Sequence, residues 1–189
     1  MVVSKIAEET RNTILSVVKG TDDVLTALRG AVKNQVVGTL KDVGDIATAS
    51  MDSVGDVVAG AVEAAGEVGQ SVTNVAKSAA STVLSSVSDL GGDVVKAASN
   101  VASGAVVGAA KVGTDVGVAA VSAVEGVVEA AGSVGASSTD VAREAALGAV
   151  KAADAISQEA GQAVRSALLA AVSLPRDVIE KALKGSEEK

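Results

Sequence analysis

Carboxylates, lysines and hydroxyls are the groups with which this chain could do chemistry, because its 189 residues include no His, Cys, Tyr or Trp. Paired acids are the first candidates for acid–base work, and Glu8-Glu9 and Asp22-Asp23 are such pairs. Consecutive residues on a helix diverge by about 100°, so neither pair can address one substrate from both sides. Ser and Thr are numerous, yet no general base or anion hole accompanies any of them. The missing His and Cys remove the usual zinc and haem ligands, thiolate nucleophiles, disulfides and iron–sulfur clusters. The acids follow no calcium-loop spacing. These residues predict a protein that is not an enzyme, with no cofactor, no metal and no small-molecule substrate.

Charge narrows the partners. The chain carries 23 acids against 16 bases, a formal charge of −7, and has no aromatic residue. Nucleic acid is therefore excluded as a partner, since both the basic stripe and the stacking faces are missing. From Asp42 through Asp45, Asp52, Asp56 and Glu63 to Glu67 the chain is acidic with no base, which reads as a solvated helix face. The amino terminus lacks a basic segment followed by an apolar run, so no cleaved signal is expected, and no lipidation motif is present.

The elements that carry these charges follow a period of eleven. One column, Val32, Val43, Val54, Ala65, Ala76, Val87 and onward to Val164, is Ala or Val at every step. A second contains Ile46, Val57, Val68, Leu90, Val101 and Val112, and a third contains Val72, Val83, Val94, Val116 and Val127. Eleven residues in three turns is about 3.67 per turn, which predicts helix and a right-handed supercoil. The phase crosses Gly20, Gly44, Gly55 and Gly66 without insertion, so these glycines are read as lying inside a helix. An interior Gly costs about 1 kcal/mol relative to Ala, and close helix contacts are the expected offset. Gly104, Gly108, Gly113 and Gly117 have the spacing for such contacts, and Gly38, Gly60, Gly104, Gly126 and Gly148 share one column.

The expected fold is all-α: one very long helix in a parallel, right-handed coiled-coil homo-oligomer of more than two chains, with a short C-terminal helix after Pro175. The expected divisions are an N-terminal helical segment at 1–31, a coiled-coil core at 32–131, a hinge at 132–139, a helical segment at 140–172 and a Pro-initiated helix and tail at 173–189. A full turn at that hinge would fold 140–172 back as a hairpin. Residues 97–124 are long enough to span a bilayer, with Lys111 and Asp115 four apart on one helix face and able to neutralise each other. Mean hydropathy is +0.42, and many outer positions are Ser, Thr, Gly or Ala. The chain is therefore expected to be membrane-associated without a cleaved signal, with lipid bilayer or another apolar surface as partner; the alternative is cytoplasmic.

Over roughly 14–172 these columns resemble the eleven-residue-repeat, or hendecad, coiled coils, including a group proposed to cross membranes. That resemblance implies a parallel homo-oligomer acting as tether, stalk, filament or conduit. Segments such as Gly104-Ala105-Val106-Val107-Gly108-Ala109-Ala110 and Val121 to Val128 are also similar to the lipid-surface helices of synucleins and perilipins. This second resemblance implies a coat for lipid droplets or polymer granules, although acids and small polar residues stand where those families carry Lys. The small-residue composition leaves a third reading, a stress-protective helix protein that is disordered in dilute buffer.

Overall fold

Four short segments carry the same punctuation: Val68-Gly69-Gln70-Ser71-Val72, Leu90-Gly91-Gly92-Asp93-Val94, Val112-Gly113-Thr114-Asp115-Val116 and Val134-Gly135-Ala136-Ser137-Ser138. In the computed structural model, which describes residues 4–18, 23–42 and 48–187, each of them reverses the chain. Gly69, Gly91, Gly113 and Gly135 have φ of 69°, 74°, 68° and 73°, a left-handed conformation that L side chains adopt only with strain. The next residue then closes a bond to the carbonyl five positions back, as in Thr114 N to Ala109 O at 3.0 Å and Ala136 N to Ala131 O at 2.9 Å. This is the Schellman end of a helix. One residue later a Ser or Asp caps the following helix: Asp115 accepts from Gly117 N at 2.8 Å and Val118 N at 3.0 Å, and Ser137 from Asp140 N at 3.3 Å. Stop and start signals thus recur together every 22 residues.

The result among the described residues is nine helices: α1 Lys5–Val18, α2 Val24–Asp42, α3 Thr48–Glu67, α4 Val72–Asp89, α5 Val94–Lys111, α6 Val116–Val134, α7 Ser138–Ile156, α8 Gln158–Ala170 and α9 Arg176–Glu187. The expectation of one very long helix in a parallel coiled coil is therefore overturned. Twenty-two is twice eleven, so a helix and its turn together consume whole repeats, and the apolar columns keep their phase while the chain doubles back. The expected bilayer segment 97–124 is split by the turn at Val112–Asp115. Pro175, without an amide hydrogen, precedes α9, and its carbonyl accepts from Val178 N at 3.0 Å and Ile179 N at 3.1 Å.

Alternate helices stack in parallel. Contacts join α1 to α3, α3 to α5, α5 to α7 and α7 to α9 in one layer, and α2 to α4, α4 to α6 and α6 to α8 in the other. From α3 onward, residues some 48 or 49 positions apart meet along the stack: Asn100 Nδ2 donates to Met51 O at 2.9 Å, and Lys111 Nζ to Glu63 Oε1 at 2.7 Å. A constant offset in both directions of the helix means parallel axes. From α3 to α7, consecutive helices are joined by these tight turns, run back along one another and close the core between the layers.

That core is made of small side chains. Val54, Val57, Val83, Val87, Val101 and Val127 are fully buried, as are Val32 in α2 and Ala120 in α6. Small residues bury little apolar area each, and the helices compensate by approaching closely. Gly104 lies on the Gly55 carbonyl, Gly126 on that of Lys77, Gly148 on that of Ser99 and Gly60 on that of Ala7. A Cβ built at Gly108 would stand 2.7 Å from Ala59 O. Backbones this near can add Cα–H···O contacts to the dispersion energy.

The punctuation predicts a measurable local cost. Gly113→Ala places a Cβ in the left-handed region, at about 1–2 kcal/mol, and Asp115→Ala removes a cap worth about 1 kcal/mol. Urea unfolding followed by helical circular dichroism should show both losses in midpoint without a change in slope.

Candidate functional site

The expected oligomer seam is distributed through a single chain. Its members Val32, Val54, Val57, Val83, Val87, Val101 and Val127 lie in the core between the layers. Val68, Leu90 and Val112 each follow the last residue of a helix and Val72, Val94 and Val116 begin the next, so these six flank the turns. Val43 and Ile46 lie outside the described residues. Of the expected close-contact glycines, Gly104 and Gly108 meet α3, and Gly117 faces Ala167 of α8. Gly113 is a turn residue with nothing within 4 Å of its would-be Cβ.

In the acidic stretch Asp52 and Glu67 are exposed, Asp56 is half-buried and Glu63 is buried, and each of the four also contacts a side chain outside its own helix. Asp56 accepts from Ser4 Oγ at 2.7 Å, Asp52 from Asn100 Nδ2 at 3.3 Å, and Glu67 pairs with Arg11. The Glu67 carboxylate, by hydrogen bonding, holds the Arg11 guanidinium above its ordinary range. Lys111 and Asp115 do not neutralise each other: Asp115 caps α6, while Lys111 reaches across to Glu63 on α3, whose side chain is only 10% exposed. A search of the sequence at an offset of 48 would have aligned these partners. Glu8 and Glu9 both sit on α1, exposed, and Asp22 lies outside the described residues. No cluster of three metal-binding side chains occurs among the described residues.

Among the described residues, two surface depressions each bring at least four charged side chains together. The first, of about 660 Å³, lies where α2 stands beside α4 and includes Arg29, Lys33, Lys77, Ser81, Ser85 and Asp89. Its cations are engaged: Arg29 Nε donates to Ser78 Oγ at 2.7 Å, Lys33 stands 4.0 Å from Asp89, and Lys77 lies between Glu125 at 3.7 Å and Glu129 at 3.3 Å. Such a groove is electrically balanced.

The second, of about 360 Å³, lies between α8 and α9 and is lined by Arg165, Leu169, Arg176, Glu180, Leu183 and Lys184. Arg165 forms a two-pronged pair with Asp154 of α7 at 2.8 and 2.7 Å, which holds that carboxyl below the usual carboxylate range. Arg176 donates to Glu180 at 2.8 Å one turn on and lowers it likewise. At the corner joining the two helices, Val172 is completely exposed and Leu169 is 37% exposed. The corner is fastened on both sides: Leu168 and Leu174 are buried, and Ser173 Oγ donates to Glu125 of α6. The eleven-residue period gave no hint of this exposure, because Val172 is in phase with Val62, Leu84 and Val106, which are all buried.

One helix among the described residues, Val116–Val134, is long and apolar enough to cross a membrane, and 56% of that window is buried inside the fold. Fold and surface together define the class: a two-layer stack of helical repeats. Compared with known proteins, the chain matches no protein-family model and no curated protein.

Proposed function

We propose that this is a non-enzymatic structural protein whose working part is the repeat stack itself, an acidic helical spacer or scaffold. The observation that carries the reading is the repeated backbone-to-backbone contact between alternate helices, with Gly60, Gly104, Gly126 and Gly148 each set against a carbonyl of the helix before. Flexible side chains contribute little to such joints, so the stack resists bending better than a bundle joined through long side chains. Apolar columns that would otherwise need several chains to cover them are filled within one chain. Repeat architectures act through their lateral surfaces and ends, and the lateral surfaces here are ladders of paired charges and hydroxyls.

Small-angle X-ray scattering and circular dichroism in lipid-free buffer test the reading. A single compact chain of this length has a radius of gyration of about 16 Å. A continuous 189-residue helix, about 280 Å long, would give about 80 Å. Strong helicity with a value under about 25 Å is expected. A coil spectrum that becomes helical only with lipid would overturn the scaffold in favour of a coat, and persistent disorder would favour the stress-protective reading.

A further inference from the structure

The depression between α2 and α4 lies at a joint that departs from its sisters. Eleven residues after their caps Asp93, Asp115 and Ser137, the helices α5, α6 and α7 carry Gly104, Gly126 and Gly148, each seated on a carbonyl 49 residues earlier. At the same place after its cap Ser71, α4 carries Thr82. The offset of 49 sets Thr82 opposite Lys33, and both line the depression. A side chain where the sister joints have none keeps α2 from seating backbone to backbone, and a space of about 660 Å³ opens instead.

Donors in this space outnumber their partners. Lys77 answers to Glu125 and Glu129, and Lys33 to Asp89. Arg29 has no such acid: its Nε donates to Ser78 Oγ at 2.7 Å, a neutral acceptor, and its two Nη groups have no hydrogen-bond partner among the described residues. Asp23, whose carboxylate senses Arg29, is committed to the amide and hydroxyl of Thr26. The charges of the groove thus cancel in sum, while Arg29 itself faces no carboxylate at ion-pair distance. Ser78 is 8% exposed and, having accepted from Arg29, finds no acceptor for its own proton among the described residues. Ser81 and Ser85, half-buried one and two turns on, have no side-chain partner there either.

These donors select the ligand. A guanidinium fork beside hydroxyls spaced one turn apart matches an oxyanion with several acceptor oxygens. Two Nη groups and three hydroxyls exceed the roughly four lone-pair sites of a carboxylate and suit the three terminal oxygens of a phosphate. Phosphate alone fills only part of the space. Leu25 is the one apolar residue in the lining, and the chain has no aromatic ring to stack on a base, so the rest of the ligand is hydroxylated.

We propose that the α2–α4 groove binds a phosphorylated sugar or polyol, with the phosphate held by Arg29, Ser78 and Ser81 and the hydroxylated body lying along Ser85 toward Lys33 and Asp89. No bond in the ligand is made or broken. The site goes beyond the scaffold reading: the ligand ties α2 to α4 where the backbone joint is missing.

Isothermal titration calorimetry of the full chain with glucose 6-phosphate, inorganic phosphate and glucose tests this site. Glucose 6-phosphate should bind about tenfold or more tightly than inorganic phosphate, and glucose alone should give no binding heat. Arg29→Gln should weaken the sugar phosphate by about thirtyfold and Ser81→Ala by about tenfold, as expected for hydrogen bonds to a charged group. Lys151→Gln, which removes an exposed cation on α7 outside the groove, should bind like the unaltered protein. Arg29 is exposed, so circular dichroism of Arg29→Gln should match the parent. The proposal is overturned if glucose 6-phosphate does not bind up to millimolar concentration, or if inorganic phosphate binds as tightly, which would make the groove an unspecific anion trap. It is equally overturned if Arg29→Gln and Ser81→Ala bind as well as the parent, or if Lys151→Gln loses as much as Arg29→Gln.

Discussion

Gly104→Ala should destabilise the protein by about 1–3 kcal/mol, whereas Gly30→Ala and Gly38→Ala should each stabilise it by up to about 1 kcal/mol. The three changes are chemically identical and all lie within helices, so intrinsic propensity favours Ala at every one. What separates them is the space that the new methyl would enter. At Gly104 the Cβ would collide with the backbone of Gly55, carbonyl oxygen and α-carbon alike, and a backbone cannot rotate away as a side chain can. The α3 and α5 axes would have to part, breaking the neighbouring contact of Gly108 with Ala59. At Gly30 and Gly38 nothing lies within 4 Å.

Gly38 and Gly104 belong to the same sequence column, yet the fold gives them opposite meanings. Gly104 is on α5, which has α3 before it in the stack; Gly38 is on α2, with which its layer begins. Thermal or urea unfolding followed by circular dichroism measures the difference, fluorescence being ruled out by the absence of Trp and Tyr. Equal stability of Gly104→Ala and the parent would show that the backbone contact is not what holds α5 to α3 within their layer.

This pair of glycines also shows how far the sequence could be read. Period eleven identified helix, and it placed Val54, Val87 and Ala120 among the buried residues, because a helical face exposes its periodicity to inspection. It also pointed to close approach at Gly104 and Gly108. Apart from the hinge expected at 132–139, reversal of the chain was hidden for a physical reason: a left-handed Gly followed by one residue and a cap is so short that a 22-residue unit preserves both apolar phase and polar columns. Gly113 therefore passed as an interior glycine, although Asp115 two places later was already a cap. The sign that distinguishes the two is the recurrence of Gly with Ser or Asp two residues on, at Gly69, Gly91, Gly113 and Gly135. Interior glycines demanded close partners, and the demand was met by the helix 49 residues earlier rather than by another copy. The exposure of Val172 was not legible, since the period puts it in phase with the buried Val62, Leu84 and Val106 and it is the corner between α8 and α9 that turns it outward.

Lys111→Met should cost about 2–3 kcal/mol, while the double variant Glu63→Leu with Lys111→Met should lie within about 1 kcal/mol of the parent. Glu63 and Lys111 meet at 2.7 Å with side chains 10% and 20% exposed, and the pair ties α3 to α5. Removing the ammonium leaves a carboxylate with little access to water and no partner at hydrogen-bond distance. Arg11, whose guanidinium also senses the charge of Glu63, offsets part of that loss and keeps the expected figure below that of a wholly enclosed pair. Removing both charges replaces the bridge with apolar contact of similar volume.

Glu63→Leu alone should be the milder single change, because a lysine can extend its stem along the surface and carry its charge to solvent, as a short acid cannot. The double-mutant cycle therefore has a definite shape: a large cost for Lys111→Met, a small one for Glu63→Leu, and a coupling of about 2 kcal/mol. A coupling near zero would mean that the two charges are solvated independently, and that the bridge does not set the register between α3 and α5.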